Sequence, residues 1–296
     1  MTGVVEEVLA SVGKTFAVMA LGLAFRRRWG RDITVLNDLA MALFIPCLAF
    51  SVILGQEVTS ADAVAIIGAA LFVLLSVLVV ASLVFRAAGW SGARTLLLPV
   101  VFMNCANLPF PILEANYGST GLGYAVIFYV TVQTLNFSLG VMLLHDRPDP
   151  LLLLKTPVFV ATLLAVTLLL SGMAPPRIVL DTTELLGDAA IPIILFSFGY
   201  SLAGMRVAAW RRTLVAALLR LGGGLAAGLT VAHLLGLAGT LRDAVILMSA
   251  MPSAVITVVL ARRYGADHEL VASVVFTSTL LALMILPLLL LWLRSS

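Results

Sequence analysis

The sequence consists of long apolar stretches separated by short segments of glycine, proline and charged residues. A helix needs roughly 20 mostly apolar residues to cross the hydrocarbon core of a membrane. Because apolar residues run continuously here and do not alternate with polar ones, we predict transmembrane helices and exclude a transmembrane β-barrel. Ten helices are expected, at about 4–24, 33–54, 62–85, 94–116, 120–144, 156–172, 182–204, 213–236, 242–262 and 268–293. The predicted fold class is an all-α polytopic membrane protein.

The overall composition agrees with a membrane protein and argues against several kinds of site. Apolar residues make up 61% of the 296 residues and charged residues 11%, against roughly 45–50% and 25% in an average globular protein. The three histidines and two cysteines form no metal-binding or disulfide pattern, so no metal and no cofactor is expected. The net charge of +3 is too small to indicate a nucleic-acid partner. Membrane lipid is the expected surrounding medium.

Basic residues predict the orientation of the helices in the inner membrane. Lysine and arginine accumulate in cytoplasmic loops of membrane proteins. The even-numbered loops carry only Arg177 and Arg242, whereas the odd-numbered loops carry most of the 18 basic residues. Those in the odd-numbered loops are Arg26, Arg27, Arg28, Arg31, Arg86, Arg94, Arg147, Lys155, Arg206, Arg211, Arg212, Arg262 and Arg263. The odd-numbered loops are therefore expected to be cytoplasmic, which places both termini outside.

Two sequence motifs recur at an offset of about half the chain. Ile45–Ser51 and Ile191–Ser197 both read I-P-x-x-x-F-S, and their prolines are 146 positions apart. The dipeptide Tyr117-Gly118 recurs as Tyr264-Gly265, 147 positions further on. Two motifs at nearly one offset indicate an internal repeat.

The offset predicts two repeats of five helices each, residues 1–146 and residues 147–296. Because five is an odd number, the second repeat is expected to be inverted in the membrane with respect to the first. Inverted repeats of this kind are typical of secondary transporters.

Prolines in the fourth and ninth predicted helices indicate that both helices are broken. Pro109 and Pro111 lie a residue apart in the fourth helix, and each removes a helical N–H donor. Pro252 lies at nearly the same depth in the ninth helix. Two broken helices that meet present the positively polarised N-termini of their half-helices to an anion. Asn104 and Asn107 would add amide donors for a carboxylate.

Other polar side chains in the predicted helices have more than one interpretation. Gln133 and Asn136 share a face of the fifth helix, where they either line the same cavity or hydrogen-bond to the fourth helix. Arg220 lies two turns inside the eighth helix and is expected to snorkel to the cytoplasmic surface rather than face the bundle interior. Asp62 begins the third helix, where a role as N-cap is expected.

The sequence resembles the auxin efflux carrier (PIN-like) family over essentially its whole length. The stretch from Asn104 to Gly118 is similar to the family's N-T-x-x-x-G-x-P-L segment ending in Y-G or F-G, with Asn104 on the family asparagine and Pro111 on its crossover proline. Ala250–Tyr264 resembles the family's A-L-P-x-x-I…A-K-x-Y. In this sequence Pro109 replaces the usual glycine.

The resemblance implies a ten-helix fold in which broken helices 4 and 9 cross, shared with bile-acid symporters and Na⁺/H⁺ antiporters. Helices 1, 2, 6 and 7 would form a scaffold that dimerises through helices 2 and 7, and helices 3–5 and 8–10 a transport domain that moves as an elevator. The implied substrates are small organic anions, either auxin-like molecules or dicarboxylates. Asp62 and Gln133, with Asn136 beside them, would belong to a polar support region behind the crossing.

We therefore predict a secondary transporter that moves small organic anions by alternating access. Asn104, Asn107 and Ser253 are expected to contact the substrate, and the three prolines to shape the crossing. A Na⁺- or H⁺-coupled symporter of the bile-acid type and a non-transporting membrane receptor are the alternatives. An enzyme is not expected, because Ser201 and His233, which superficially suggest a protease, would lie roughly 30 Å apart by helical rise.

Overall fold

The computed structural model describes residues 2–55, 59–90, 92–144, 156–203 and 208–295, and nearly all of them are helical. The described part of the chain contains no strand, only one isolated bridge between Met103 and Ser253. Six of its helices are long and apolar enough to cross a membrane: Thr34–Gly55, Ser60–Ala87, Pro109–Leu144, Arg177–Leu202, Trp210–Leu234 and His268–Ser295. The predicted all-α polytopic membrane protein is confirmed at this level.

The helices are named in chain order, with π for π-helical turns. They are α1 Thr2–Trp29, α2 Thr34–Leu39, π1 Ala40–Phe44, α3 Ile45–Gly55, α4 Ser60–Ala87, α5 Ala93–Val101, α6 Pro109–Leu135, π2 Asn136–Gly140, α7 Val141–Leu144, α8 Pro157–Ser171, α9 Arg177–Asp188, α10 Ala190–Leu202, α11 Trp210–Leu218, π3 Leu219–Gly223, α12 Gly224–Leu234, α13 Gly239–Ser249, α14 Ile256–Arg263 and α15 His268–Ser295. Arg147, Lys155 and Arg206, which entered the orientation prediction, lie outside the described residues.

Large apolar side chains cover the outer surface of the helices. Leu83 of α4 is 61% exposed, Leu185 of α9 is 73% exposed and Leu288 of α15 is 68% exposed. Water-soluble monomers rarely expose large contiguous apolar patches, because such a surface favours association or membrane contact. These side chains therefore belong to a surface that faces lipid.

The helices pack in two groups. In the first group, α1 packs against α10, and α3 packs against α8 and α9. In the second group, α6 packs against α4 and α13, α12 against α13 and α4, and α11 against α15. Contacts between the groups are fewer and are made mainly by α1 and α3 with α6 and α15. The second group contains both of the interrupted helices described below.

Two glycines let α1 and α10 approach closely. A Cβ at Gly22 of α1 would overlap the carbonyl of Phe196, and a Cβ at Gly199 of α10 would overlap the backbone of Met19. Interiors of proteins are close-packed, so such a backbone-to-backbone contact leaves little freedom for relative movement. The position of α10 is thus fixed by α1.

Candidate functional site

Two helices of the second group are interrupted by unwound segments, residues 102–108 and residues 250–255. The first segment separates α5, which ends at Val101, from α6, which begins at Pro109; the second separates α13, which ends at Ser249, from α14, which begins at Ile256. Pro109 is the first residue of α6, where a missing N–H costs little because N–H groups of the first turn have no partner within the helix. The proline therefore marks the start of α6 and does not disrupt a helix interior.

The two unwound segments pair with each other through their backbones. The Asn104 N–H donates to the Pro252 carbonyl at 2.6 Å, and the Ala254 N–H donates to the Phe102 carbonyl at 3.0 Å. An unsatisfied backbone group inside a membrane costs several kcal/mol, so non-helical backbone persists there only where protein or a cavity covers it. The pairing explains how both helices can be interrupted, because each segment supplies hydrogen-bond partners for backbone groups of the other.

The side-chain amide of Asn104 is hydrogen-bonded through its oxygen but not through its nitrogen. Its Oδ1 accepts a hydrogen bond from the Asn107 N–H at 3.0 Å, which fixes the orientation of the side chain. Asn104 is only 4% exposed, and its Nδ2 has no partner among the described residues. A buried donor without a partner costs about 1–3 kcal/mol unless water or a ligand binds it. Asn104 therefore offers an amide donor to a ligand.

A cavity of about 290 Å³ lies against these segments. Its polar lining consists of Asn37, Asp38, Asn104, Asn107, Tyr129, Gln133, Ser197 and Ser201. Its apolar lining includes Met41, Met103, Ile194, Phe198, Val255, Ile256 and Val259. Both groups of helices contribute, since α2, π1 and α10 face α6, α14 and the unwound segments across the cavity. Its size suits a small organic molecule.

The groups in the cavity lining that favour negative charge are a helix end and amide donors, and not basic side chains. None of the described lining residues is lysine, arginine or histidine, and Asp38 is the single carboxylate among them. Val255 and Ile256 lie at the N-terminus of α14, which carries a partial positive charge. The Nδ2 group of Asn104 adds a directed donor to this end of the cavity.

Arg220 is not among the residues that line the cavity, and its position corrects the sequence prediction. It is 0% exposed and does not snorkel to the surface. One terminal nitrogen of its guanidinium donates to the carbonyls of Val100 at 3.0 Å and Val101 at 2.9 Å, and the other donates to the Ser249 carbonyl at 2.7 Å. These carbonyls end α5 and α13, where helical carbonyls have no intrahelical partner and carry partial negative charge. A buried position is favourable here because three acceptors surround the charge.

A glycine next to the π-helical turn makes room for this arginine. A Cβ at Gly224 would overlap both the Arg220 guanidinium and the Ser249 carbonyl. A Cβ at Gly222, two residues earlier, would meet no other atom within 4 Å. Only Gly224 is therefore required by the contact between Arg220 and the end of α13.

Ser253, a predicted substrate contact, lies off the cavity lining. It is 0% exposed, and its backbone N–H donates to Ser278 Oγ of α15 at 3.1 Å. Its own Oγ has no partner among the described residues. Asn107, by contrast, lines the cavity. The carbonyl of Pro252 takes part in the backbone pairing of the two unwound segments. Pro111 is a buried residue in the first turn of α6.

The predicted support residues do not lie together. Gln133 lines the cavity, and Asn136, which is 0% exposed, donates from Nδ2 to Gln133 Oε1 at 3.4 Å. Asp62 instead accepts a hydrogen bond from the Tyr124 hydroxyl at 3.1 Å. Nine residues of α6 separate Tyr124 from Gln133, a rise of about 14 Å. The structure thus brings Gln133 and Asn136 together and leaves Asp62 apart.

The expected capping role of Asp62 is also corrected. Thr59 is the N-cap of α4, because its Oγ1 accepts from the Asp62 N–H at 3.1 Å. Asp62 follows three residues later, where a carboxylate is favourable beside the positively polarised helix end.

Sequence reasoning missed several polar contributors to the cavity and undervalued one further residue. Asn37, Asp38 and Ser197 line the cavity, but the prolines of their predicted helices, Pro46 and Pro192, were interpreted only as parts of a repeated motif. For Arg220 a signal was present: three glycines follow it at positions 222–224, and small residues permit a close approach of other backbones.

Comparison with known proteins gives one family and two relatives. A family model described as "Membrane transport protein" matches residues 8–153 and 148–290. An "uncharacterized transporter" of Methanothermobacter thermautotrophicus is 32% identical over 269 residues, which cover 87% of this chain and 88% of the relative. Another "uncharacterized transporter", of Methanocaldococcus jannaschii, is 25% identical over 205 residues, which cover 65% of this chain and 66% of that relative.

Proposed function

The chain belongs to the membrane transport protein family, as its likeness to the auxin efflux carriers predicted, and we propose that it is a secondary transporter of small organic anions. The observation that carries this proposal is that Asn104 lines a cavity beside the paired unwound segments, while its Nδ2 donor has no partner among the described residues. A carboxylate is the ligand that such a donor and a helix N-terminus favour.

The distribution of charge around the unwound segments supports an anion over a cation. Arg220, which is not among the residues that line the cavity, binds the C-terminal carbonyls of α5 and α13. Those negatively polarised helix ends are the groups that would attract a cation, and the arginine occupies them. The cavity side retains the N-terminus of α14 and Asn104, which both favour negative charge.

The lining of the cavity favours an anion with one carboxylate and an apolar body over a dicarboxylate. Met41, Ile194, Phe198 and Val259 supply apolar contacts for such a body. The described lining offers no basic side chain for a second carboxylate, and Asp38 would repel one. Asn104 and Asn107 are the proposed carboxylate ligands. Ser253 lies outside the cavity lining and is not among the proposed ligands.

Alternating access in this proposal uses two inverted repeats of five membrane-crossing helices, residues 1–146 and 147–296, with the interrupted helices crossing. Gly118 and Gly265, which lie 147 positions apart, both have positive φ angles, 64° and 67°, after the half-helices that follow the breaks. The division of the packing into two groups supports an elevator in which α4–α7 and α11–α15 move against α1–α3 and α8–α10. Both termini outside the inner membrane, and a homodimer through the second and seventh crossings, complete the proposal.

Uptake by proteoliposomes tests the proposed function. We expect saturable uptake of labelled phenylacetate, weaker uptake of malonate, and loss of both in Asn104→Ala. Asn116→Ala is the matched control, because Asn116 lies on α6, the helix that follows the unwound segment, donates to the Ile112 carbonyl at 2.8 Å and lies outside the cavity lining. Equal uptake by the wild type and Asn104→Ala would overturn the site; absence of carboxylate uptake by the wild type would overturn the function.

A further inference from the structure

Ser197 of α10 has a hydroxyl group that nothing in the fold yet explains. The residue lines the cavity, is 7% exposed, and its Oγ has no hydrogen-bond partner among the described residues. Serine hydroxyls in helices commonly donate to the carbonyl three or four residues earlier. Ser201, one turn later on the same helix, does this, since its Oγ donates to the Ser197 carbonyl at 2.9 Å.

The equivalent serine of the first half behaves differently. Ser51 ends the first I-P-x-x-x-F-S motif as Ser197 ends the second. Its Oγ donates to the Leu48 carbonyl at 3.2 Å, and it is not among the residues that line the cavity. Two serines in the same motif therefore differ in one respect: the hydroxyl of Ser51 is satisfied by its own helix and that of Ser197 is not.

The position of Ser197 is fixed by the packing of its helix. Its neighbours Phe196 and Phe198 point to different surroundings, because Phe196 forms an edge-to-face contact with Phe25 of α1 and Phe198 lines the cavity. The close contact between α1 and Gly199 prevents a shift of this turn of α10. A hydroxyl held in place at a cavity wall is pre-organised for a ligand, which reduces the entropy lost on binding.

We propose that Ser197 Oγ is a direct substrate ligand, which donates a hydrogen bond to the organic anion that Asn104 Nδ2 binds from the facing wall. The inference rests on the proposed function and extends it: the substrate is held by both groups of helices, and not only by the unwound segments. Both atoms are donors, both belong to side chains more than nine-tenths buried, and both lack a partner among the described residues. The acceptors are carboxylate oxygens of the bound anion.

Equilibrium binding of phenylacetate to the purified full chain in nanodiscs tests this inference. We expect Ser197→Ala to weaken phenylacetate binding about tenfold, since a hydrogen bond to a charged group is lost. Ser51→Ala is the matched control and should bind like the wild type. The thermal unfolding midpoint of the ligand-free Ser197→Ala protein should equal or exceed that of the wild type, because removal of an unsatisfied buried hydroxyl costs the fold nothing.

The outcomes separate the inference from the proposed function. If Asn104→Ala loses phenylacetate binding but Ser197→Ala and Ser51→Ala both bind like the wild type, Ser197 is not a ligand, although the anion site stands. If the ligand-free Ser197→Ala protein unfolds at a lower temperature and its affinity is unchanged, the hydroxyl is structural and the inference is wrong. If the wild type binds neither phenylacetate nor malonate, the proposed function itself is wrong. Should Ser197→Ala fail to fold, Ser197→Cys, of similar volume and with only a weak donor, takes its place.

Discussion

The C-terminal and N-terminal helix ends at the unwound segments differ in what satisfies them. The carbonyls that end α5 and α13 are bound by the buried guanidinium of Arg220. By contrast, the N-terminus of α14 and Asn104, whose Nδ2 has no partner among the described residues, line a cavity with no basic residue among its described lining. The protein's own charge satisfies the negative ends, whereas the positive ends are left for a ligand.

This difference explains how an anion site forms in a membrane without a basic ligand residue. A lysine or arginine in the cavity would remain buried and uncompensated whenever the site is empty, which is costly in a low-dielectric interior. Dipoles and neutral amides carry a smaller desolvation penalty, so an empty cavity is tolerable. Arg220 has permanent partners in its three carbonyls and does not depend on the substrate.

Removal of Arg220 should have the largest effect. Arg220→Leu leaves three buried carbonyls without a donor, at about 1 kcal/mol or more for each. We expect the thermal unfolding midpoint in detergent to fall by about 5 °C or more. The unfolding midpoint of Arg220→Lys should lie between those of this variant and the wild type. An ammonium keeps the charge but lacks the planar fork that reaches both helix ends. An unchanged unfolding midpoint in Arg220→Leu would contradict the structural role of the arginine.

On the cavity side, Asn104→Asp should have the next largest effect. The substitution keeps an oxygen that can accept from the Asn107 N–H but replaces the Nδ2 donor by a second oxygen, and it adds negative charge. We expect phenylacetate affinity to fall about a hundredfold, since a lost charge-assisted hydrogen bond is combined with like-charge repulsion. The unfolding midpoint should also fall, because the new carboxylate is buried without a basic partner among the described lining residues. Retained affinity in this variant would show that the substrate does not meet Asn104.

Gly224→Ala should have an intermediate effect that isolates the fit of Arg220. The added methyl group overlaps the guanidinium and the Ser249 carbonyl, so one of them must shift, at a cost of about 1–3 kcal/mol. We expect the unfolding midpoint to decrease by several degrees. Gly222→Ala, whose methyl group meets open space, should leave the midpoint unchanged or slightly raised, because alanine favours helix. Equal midpoints for the two variants would count against the tight fit.

The smallest effects on affinity are expected at the predicted support residues, and we expect Gln133 and Asp62 to differ. Gln133→Leu removes a polar group from the cavity wall and should weaken phenylacetate binding about threefold, at the lower end of the effect of one hydrogen bond. Asp62→Asn should not change the affinity, because neither Asp62 nor its partner Tyr124 is among the residues that line the cavity. Comparable losses in the two variants would indicate that both residues belong to one functional region.

The sequence predicted the class of the fold and one wall of the site, for identifiable physical reasons. Continuous apolar stretches form transmembrane helices, because a helix satisfies its own backbone hydrogen bonds in the membrane. Prolines at 109, 111 and 252 restrict where helices can begin. Asn104 was recognisable because an amide inside an apolar stretch needs a partner. These features are local, so a single sequence is enough to reveal them.

The facing wall and the role of Arg220 could not be predicted in this way. The environment of Arg220 depends on carbonyls that lie 119, 120 and 29 positions away in the chain, and no local pattern indicates such contacts. Ser197 and Ser51 occupy the same motif, yet only tertiary packing decides that Ser197 lines the cavity and Ser51 does not. For Asp62 a local pattern was misleading. Its position at the start of α4 suggested that it caps the helix, whereas Thr59 is the N-cap.

One measurement tests the central claim most directly: binding of three ligands of similar shape and different charge to the wild-type protein in nanodiscs. The ligands are phenylacetate, phenylacetamide and 2-phenylethylamine, an anion, a neutral amide and a cation. If the unwound segments present only positive ends to the cavity, phenylacetate binds at least about tenfold more tightly than the amide, and the amine does not bind. Binding of the amine as tight as that of phenylacetate would contradict the account.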